Sequence, residues 1–358
     1  MTQAETAKMS GKDFLFKVLN GTAIGIIVGL IPNAVLGEIF KALNGPIWDT
    51  LYQVVFSLQF ATPAIIGVLV GLQFGFNAMQ ATTIGTATFV ASGAVKLTMA
   101  TVNGIEKPTW VGGGIGDLIN VMITAAIASY VVLKIKDHLG SLNAILLPIL
   151  GGALPAAIGV FLLPYVSKIT ALIGSMINGF TTLQPVVMSV LISITFSILI
   201  ISPISTVAIG LAIGLEGISS GSAAIGVAAC TAVLVVASMK VNESGTTLAI
   251  LLGAMKMMMP NMVKKPVILV PIICTAAVSG VVSALLNIQG IPSSAGFGLV
   301  GLVGPIHAFQ LLGGSTVGKL ISVTIAFIVV PFVVGFLMNY LFGKVLKLYG
   351  EDAFKYNV

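Results

Sequence analysis

Lys240-Val241-Asn242-Glu243-Ser244-Gly245-Thr246-Thr247 is the densest run of hydrogen-bonding side chains in the chain. Residues 223–239 precede it without a charge, and residues 248–259 follow with Lys256 as their one charge. A carboxylate accepts, while an amide and hydroxyls both donate and accept. Together they suit a small polar solute. An ionised or unpaired polar group in hydrocarbon costs several kcal/mol, so such groups face a bundle interior or a water-filled path. Gly245 lets the backbone break, and irregular backbone at membrane depth is tolerated only where it is buried or lines a cavity. Asn242, Glu243, Ser244 and Thr246 therefore read as one wall of a solute site. A solvent loop between two helices, with Lys240 at the interface, is the alternative these residues leave open.

His307 is the second group of interest. It follows Gly304-Pro305-Ile306 in an apolar region and needs a partner there, a solute hydroxyl or a backbone carbonyl. Ser293 and Ser294 add hydroxyls shortly before it. The other ionisable residues inside apolar blocks are Asp117, Glu216, Lys256 and Lys319. Asp117 reads as a loop residue, Glu216 is balanced between loop and site, and the two lysines can snorkel to headgroups. Met255, Met257, Met258 and Met259 read as packing residues.

No catalytic set is present. Cys230 and Cys274 stand singly in apolar runs and read as buried thiols. Without CxxC, HExxH or a His cluster, no metal is implied, and no cofactor either. Gly112-Gly113-Gly114-Ile115-Gly116-Asp117 lacks the Lys-Ser/Thr of a phosphate loop and reads as a flexible lead into a helix.

Polar groups this rare need a membrane to explain them. The chain has 358 residues, 57% hydrophobic and 8% charged, against roughly 25% charged in soluble domains. The apolar runs are continuous rather than alternating, which excludes a β-barrel. All 17 positive residues are Lys, which argues against nucleic acid as a partner, since Arg carries most base and phosphate recognition. The length allows about ten crossings.

Taken in order, residues 14–40, 49–72, 77–101, 118–133 and 142–164 read as spans, with 167–180 as an amphipathic segment along the interface. The apolar run 184–215 is too long for one span and should break at Ser202-Pro203. Residues 219–239, 267–286 and 320–342 are further spans. Lys240 and Lys264-Lys265 both belong inside by charge, so residues 242–259 enter and return as a re-entrant hairpin. The Gly-rich stretch 291–314 is a second such hairpin. Both ends and Lys136 are cytoplasmic on this reading, and residues 1–12 form a short cytoplasmic tail without a signal-peptide cleavage pattern. Trp110 suits a headgroup anchor. A weak repeat, Gly67-Val-Leu-Val-Gly71-Leu72-Gln73 against Gly210-Leu-Ala-Ile-Gly214-Leu215-Glu216, hints at duplicated halves, as in many transporters.

Gly290-Ile291-Pro292-Ser293-Ser294-Ala295-Gly296-Phe297, followed by Gly304-Pro305, resembles the Gly-Ile-Thr-Glu-Pro-x-Glu-Phe signature of the sugar permeases of the phosphotransferase system, the EIIC domains. The Asn242-Glu243-Ser244-Gly245 stretch makes the chain similar to a divergent branch, the toxin-regulator (PfoR-like) membrane proteins. The resemblance implies an all-α polytopic membrane protein with about ten transmembrane helices and two re-entrant hairpins. It implies a homodimer in a bacterial cytoplasmic membrane, elevator-type movement, and a sugar-like solute held by Asn242, Glu243, Ser244, Thr246, Ser293, Ser294 and His307. Separate EIIA and EIIB proteins would supply the phosphoryl group, since no residue here carries it. Ser293 stands where the family has its sugar-binding Glu, which puts that coupling in question.

The expected organisation is a tail (1–12), an N-terminal scaffold and dimer half (13–180), a C-terminal solute-binding half (181–345) and a cytoplasmic tail (346–358). Small-residue runs at 87–95 and 222–229 permit close helix packing within or between chains. Two rivals stay open: a membrane sensor that kept the fold, and an ion-coupled transporter using Glu243 or Glu216.

Overall fold

A computed structural model describes residues 9–43, 45–102, 105–135 and 138–356. Lys136, expected inside, and most of the expected N-terminal tail lie outside the described residues. Among the described residues, seven helices are long and apolar enough to cross a membrane, or eight if one bent pair counts as a span. They are Gly11–Lys41, Pro46–Gln73, Leu118–Ile135, Asn143–Phe180, Gly217–Ser238, Pro266–Leu285 and Thr316–Val345. Many of their large apolar side chains are exposed, such as Phe161 and Leu172, as a surface meeting lipid requires. The chain forms two compact units, one of residues 1–30 and 57–167, the other of 31–56 and 168–358.

The first unit is built on close backbone approach. Helix α1 (Gly11–Ala42) presents Gly21, Gly25 and Gly29, spaced four apart on one face, to α3 (Thr62–Gln73). A Cβ on Gly21 would sit 2.5 Å from Val70 Cα, and one on Gly25 2.6 Å from Ile66 Cα. Only glycine lets these two helices meet, the small-residue logic of membrane packing. Along the chain, α2 (Pro46–Leu58), most of which belongs to the second unit, leads through a single 3-10 turn into α3. Helix α4 (Ala78–Ala91) begins with a capping box, Asn77 and Gln80 each bonding the other's backbone N–H. Thr88 Oγ1 then donates to Pro63 O at 2.8 Å and fixes α4 on α3.

The all-helical expectation needs one correction here. The third span does not run to residue 101; α4 ends at Ala91, and Val95–Val102 (β1) pairs antiparallel with Ile105–Gly112 (β2). The reason is legible afterwards. Val95-Lys-Leu-Thr-Met99 alternates in polarity, as a half-exposed strand does. The glycine stretch that follows is tied down: Gly113 N–H donates to Ala94 O and Asp117 N–H to Ser92 O at 2.8 Å. Asp117 then caps α5 (Leu118–Ile135) by accepting from Ile119 and Asn120 N–H, both at 3.0 Å. Buried Asn120 donates to Ala91 O and Gly159 O and so joins α4, α5 and α7 (Leu154–Phe180). Helix α6 (Asn143–Leu147) passes through a π-helical turn, Pro148–Ala153, into α7. A second correction follows: residues 167–180 are not a separate interfacial segment but the continuation of α7.

The second unit surrounds α10 (Gly217–Ser238), which is 94% buried over its apolar window. Its small residues let three helices come close. Gly226 lies against the Ser193 carbonyl of α8 (Pro185–Leu199). Ser222 and Ser283 hydroxyls meet at 3.1 Å between α10 and α13 (Leu269–Leu285). Gly335 of α16 (Val330–Asn339) packs on Val233, and Asn339 Nδ2 donates to Val233 O at 3.1 Å. The run 184–215 breaks, as expected, between α8 and the short α9 (Thr206–Ala212). Residues 244–264 form a pair of helical arms bent by 118°: α11 (Ser244–Leu252), then a 3-10 turn at Met255–Met258 that leads into α12 (Met259–Lys264). Helices α14 (Val303–Leu311) and α15 (Thr316–Thr324) follow the non-helical stretch after α13.

Candidate functional site

Two irregular segments of the second unit meet. The first is the bend of the 244–264 pair. Gly253 sits there at φ +132, a region side chains rarely adopt. A Cβ on it would lie 2.9 Å from Val300 Cγ1, so the bend rests on the second segment, residues 287–302. That segment is pinned along its length. Gly217 and Gly290 exchange backbone hydrogen bonds at 3.0 Å, Ser220 Oγ donates to Ile291 O at 2.7 Å, and Thr206 Oγ1 donates to Gly296 O at 2.9 Å. Gly298, at φ +57, lies against Val227 and Ala228 of α10. Leu302 closes the segment in the left-handed region before α14 begins.

The seven sequence-predicted residues divide by what their side chains already hold. Ser294 is buried; its hydroxyl donates to Ile291 O and accepts from Ile291 N–H, closing its own turn. Asn242 is fully engaged: it donates to Ser238 Oγ (3.0 Å) and Phe354 O (2.8 Å) and accepts from Tyr356 N–H (2.7 Å). Glu243 precedes α11 without capping it and is exposed, as are Ser244 and Ser293. Thr246 is half-buried. The side chains of Glu243, Ser244, Thr246 and Ser293 make no hydrogen bond among the described residues, so they keep their capacity for a ligand. Half-buried His307 has Nδ1 at 2.9 Å from Val303 O, a carbonyl that can only accept, so Nδ1–H is the donor. Glu243 stands at the start of the first arm, away from its tip. The turn that makes the tip needs the positive φ of Gly253.

Sequence reading missed a C-terminal strap. Residues 351–356 bridge the two ends of the bent pair. Asn242 holds Phe354 O and Tyr356 N–H; Asn261 Nδ2 on α12 donates to Ala353 O and Lys355 O, both at 2.9 Å. Lys265 pairs with Asp352, and Lys240 lies 3.8 Å from Glu351. Phe354 is 2% exposed and meets Tyr349 edge-on. The Lys265 ammonium holds the Asp352 carboxyl below its ordinary range, while burial pushes Tyr349 up to about 12 and Tyr356 upward. A pocket of about 470 Å³ opens beside the strap, lined in part by Lys240, Phe336, Asn339, Lys344 and Tyr349. None of the seven predicted residues lines it. The strap's partners are separated by about a hundred residues, so no local pattern announces them. Among the described residues, no group of three His, Cys, Asp or Glu is placed to hold a metal.

A multi-pass membrane protein with paired irregular segments in one unit is the class these features define. The family model described as "Phosphotransferase system, EIIC" matches residues 16–356, nearly the whole chain, and the chain belongs to that family. EIIC is the membrane sugar-permease component of that system. Neither a curated protein nor a solved structure matches the chain.

Proposed function

We propose that this chain is a permease that binds one small polar solute, a sugar or sugar-like molecule, and carries it across a bacterial cytoplasmic membrane. Its C-terminal half moves in an elevator-type step against an N-terminal scaffold half that also forms a homodimer. The bent pair and the stretch 291–314 act as two re-entrant hairpins, giving about ten crossings in all. Family membership over residues 16–356 carries this reading. The meeting of Gly253 and Val300 supports it, because irregular backbone at membrane depth belongs where it lines a cavity. Glu243, Ser244, Thr246, Ser293 and His307 contact the solute on this reading, with Asn242 and Ser294 holding the backbone behind them.

Ser293 favours a second reading. In place of the family's Glu it leaves a hydroxyl, which cannot serve as a carboxylate acceptor. A chain of the toxin-regulator-like branch could thus bind solute and report on it without coupling to phosphate. The separate EIIA and EIIB proteins decide between the two. Phosphorylated sugar that forms only when those soluble proteins are added selects the permease; binding without flux selects the sensor. Uptake abolished by collapsing an ion gradient selects ion coupling and refutes both. Glu243→Gln and Glu243→Ala should weaken solute binding by about 1.5–3 kcal/mol, Ala the more, as for a charged hydrogen bond. Changes under about 0.5 kcal/mol, the range of neutral surface substitutions, remove Glu243 from the site.

A further inference from the structure

The break between α8 and α9 is held by a side chain from elsewhere. Pro203 has no N–H to continue the helix, and after Ser202 N–H closes the last turn on Leu199 O at 3.0 Å the chain runs unwound to α9. Ser202 Oγ turns back to Leu199 O at 2.7 Å. The carbonyls of Ser202 and Ile204 both take their donor from Lys256 Nζ, with Ile204 O at 2.9 Å. Lys256 is only 7% exposed and lies on the turn Met255–Met258, just past the bend at Gly253. Among the described residues no carboxylate pairs with it.

Ser202 and Ile204 lie in the unwound stretch between α8 and α9, so their carbonyls have no helical donor. Where transporters break their helices, such carbonyls coordinate a soluble monovalent ion. Here a buried ammonium with two main-chain carbonyls as its partners occupies that position. We propose that the Ser202 and Ile204 carbonyls form a monovalent-cation site that the protein keeps filled with its own tethered cation, Lys256. Lys256 is then a positioning residue. Seating of the bent pair and occupancy of the break are one event, and no sodium ion is needed to hold the seated form. If the pair withdraws, two desolvated carbonyls are left for a small soluble cation to take.

The inference goes beyond the permease reading and is tested without any solute, so a failure of one is distinguishable from a failure of the other. Full-length protein in detergent is melted in choline, sodium or methylammonium chloride at equal ionic strength. Wild type should melt at one temperature in all three. Lys256→Ala should melt lower in choline and regain stability saturably with sodium or methylammonium, as mass action on the folded state requires. Lys256→Arg should behave as wild type. If Lys256→Ala is not recovered folded, Lys256→Gln is read in the same way, since its amide can donate but carries no charge. Three results overturn the proposal. The first is an uncharged variant as stable as wild type in choline. The second is a destabilised variant that neither cation restores. The third is a wild-type protein that itself gains from sodium.

Discussion

Asn242→Ala tests the strap most directly. The change removes two hydrogen bonds to residues 354–356, at 2.8 and 2.7 Å, and one to Ser238. At a net 0.5–1.5 kcal/mol each, the two strap bonds contribute about 1–3 kcal/mol to its docking. Opening of the strap should therefore become about 5- to 150-fold more frequent, since every 1.4 kcal/mol is tenfold. The Tyr356 amide reports this, because its N–H is bonded to Asn242 Oδ1 itself. Hydrogen exchange at that amide, read by mass spectrometry on the protein in detergent, should accelerate by that factor, while amides inside buried α10 keep their protection. Asn261→Ala should release the same strap from the other arm, so the pair should be non-additive: once one clamp is gone, the second loss costs less. Unchanged exchange at Tyr356 in Asn242→Ala, or strict additivity of the two changes, would refute the strap as one cooperative piece.

Gly25→Leu should lower the thermal midpoint of the folded protein by the equivalent of about 1–3 kcal/mol or more, because its side chain would meet the Ile66 backbone. Gly11→Leu, with nothing within 4 Å of its would-be Cβ, should leave the midpoint unchanged. The Asp352–Lys265 pair holds a carboxylate whose folded pKa is depressed, so what it contributes is present above the ordinary pKa of about 3.9 and is lost as pH falls through the lower folded value. Exchange at the strap amides should thus stay flat from pH 8 to 5 after correction for intrinsic rates, and rise only in stronger acid. Because that carboxylate is exposed, added salt should reduce the effect. Cysteines placed at Lys136 and Lys264 should resist a membrane-impermeant thiol reagent in intact cells, and ready labelling of either from outside would overturn the count of ten crossings.

What could be read in advance was what the chain carries locally. The overlong run 184–215 with Pro203 near its middle had to break, because a helix that length overshoots the hydrocarbon. Charge on both sides of a moderate apolar run led to the expectation of a returning segment at 242–259, and the bend found there turns on Gly253. The hairpin β1–β2 is equally local, written in the alternation of residues 95–99, although the hydrophobicity around them favours a span. Asn242 and Lys256 were different. Each looked costly or marginal, and each is satisfied by partners far along the chain: Phe354 and Tyr356 for the first, Ser202 and Ile204 for the second. A sequence shows that a polar group needs a partner, but pairing over such distances is set by the fold. Gly21, Gly25 and Gly29 went unread: their four-residue spacing is local, but the helix they approach is set by the fold.

The burial of α10 bears on how the bilayer itself acts on the protein. A helix sealed in this way by α8, α13 and α16 scarcely touches an acyl chain, whereas only 28% of the apolar window of the span Thr316–Val345 is buried. A thicker or thinner membrane therefore pulls on the outer span and leaves the inner one nearly untouched, since mismatch is felt by the surface that lipid wets. Lipid length becomes a lever that tilts the periphery of the second unit about an axle that does not respond to it.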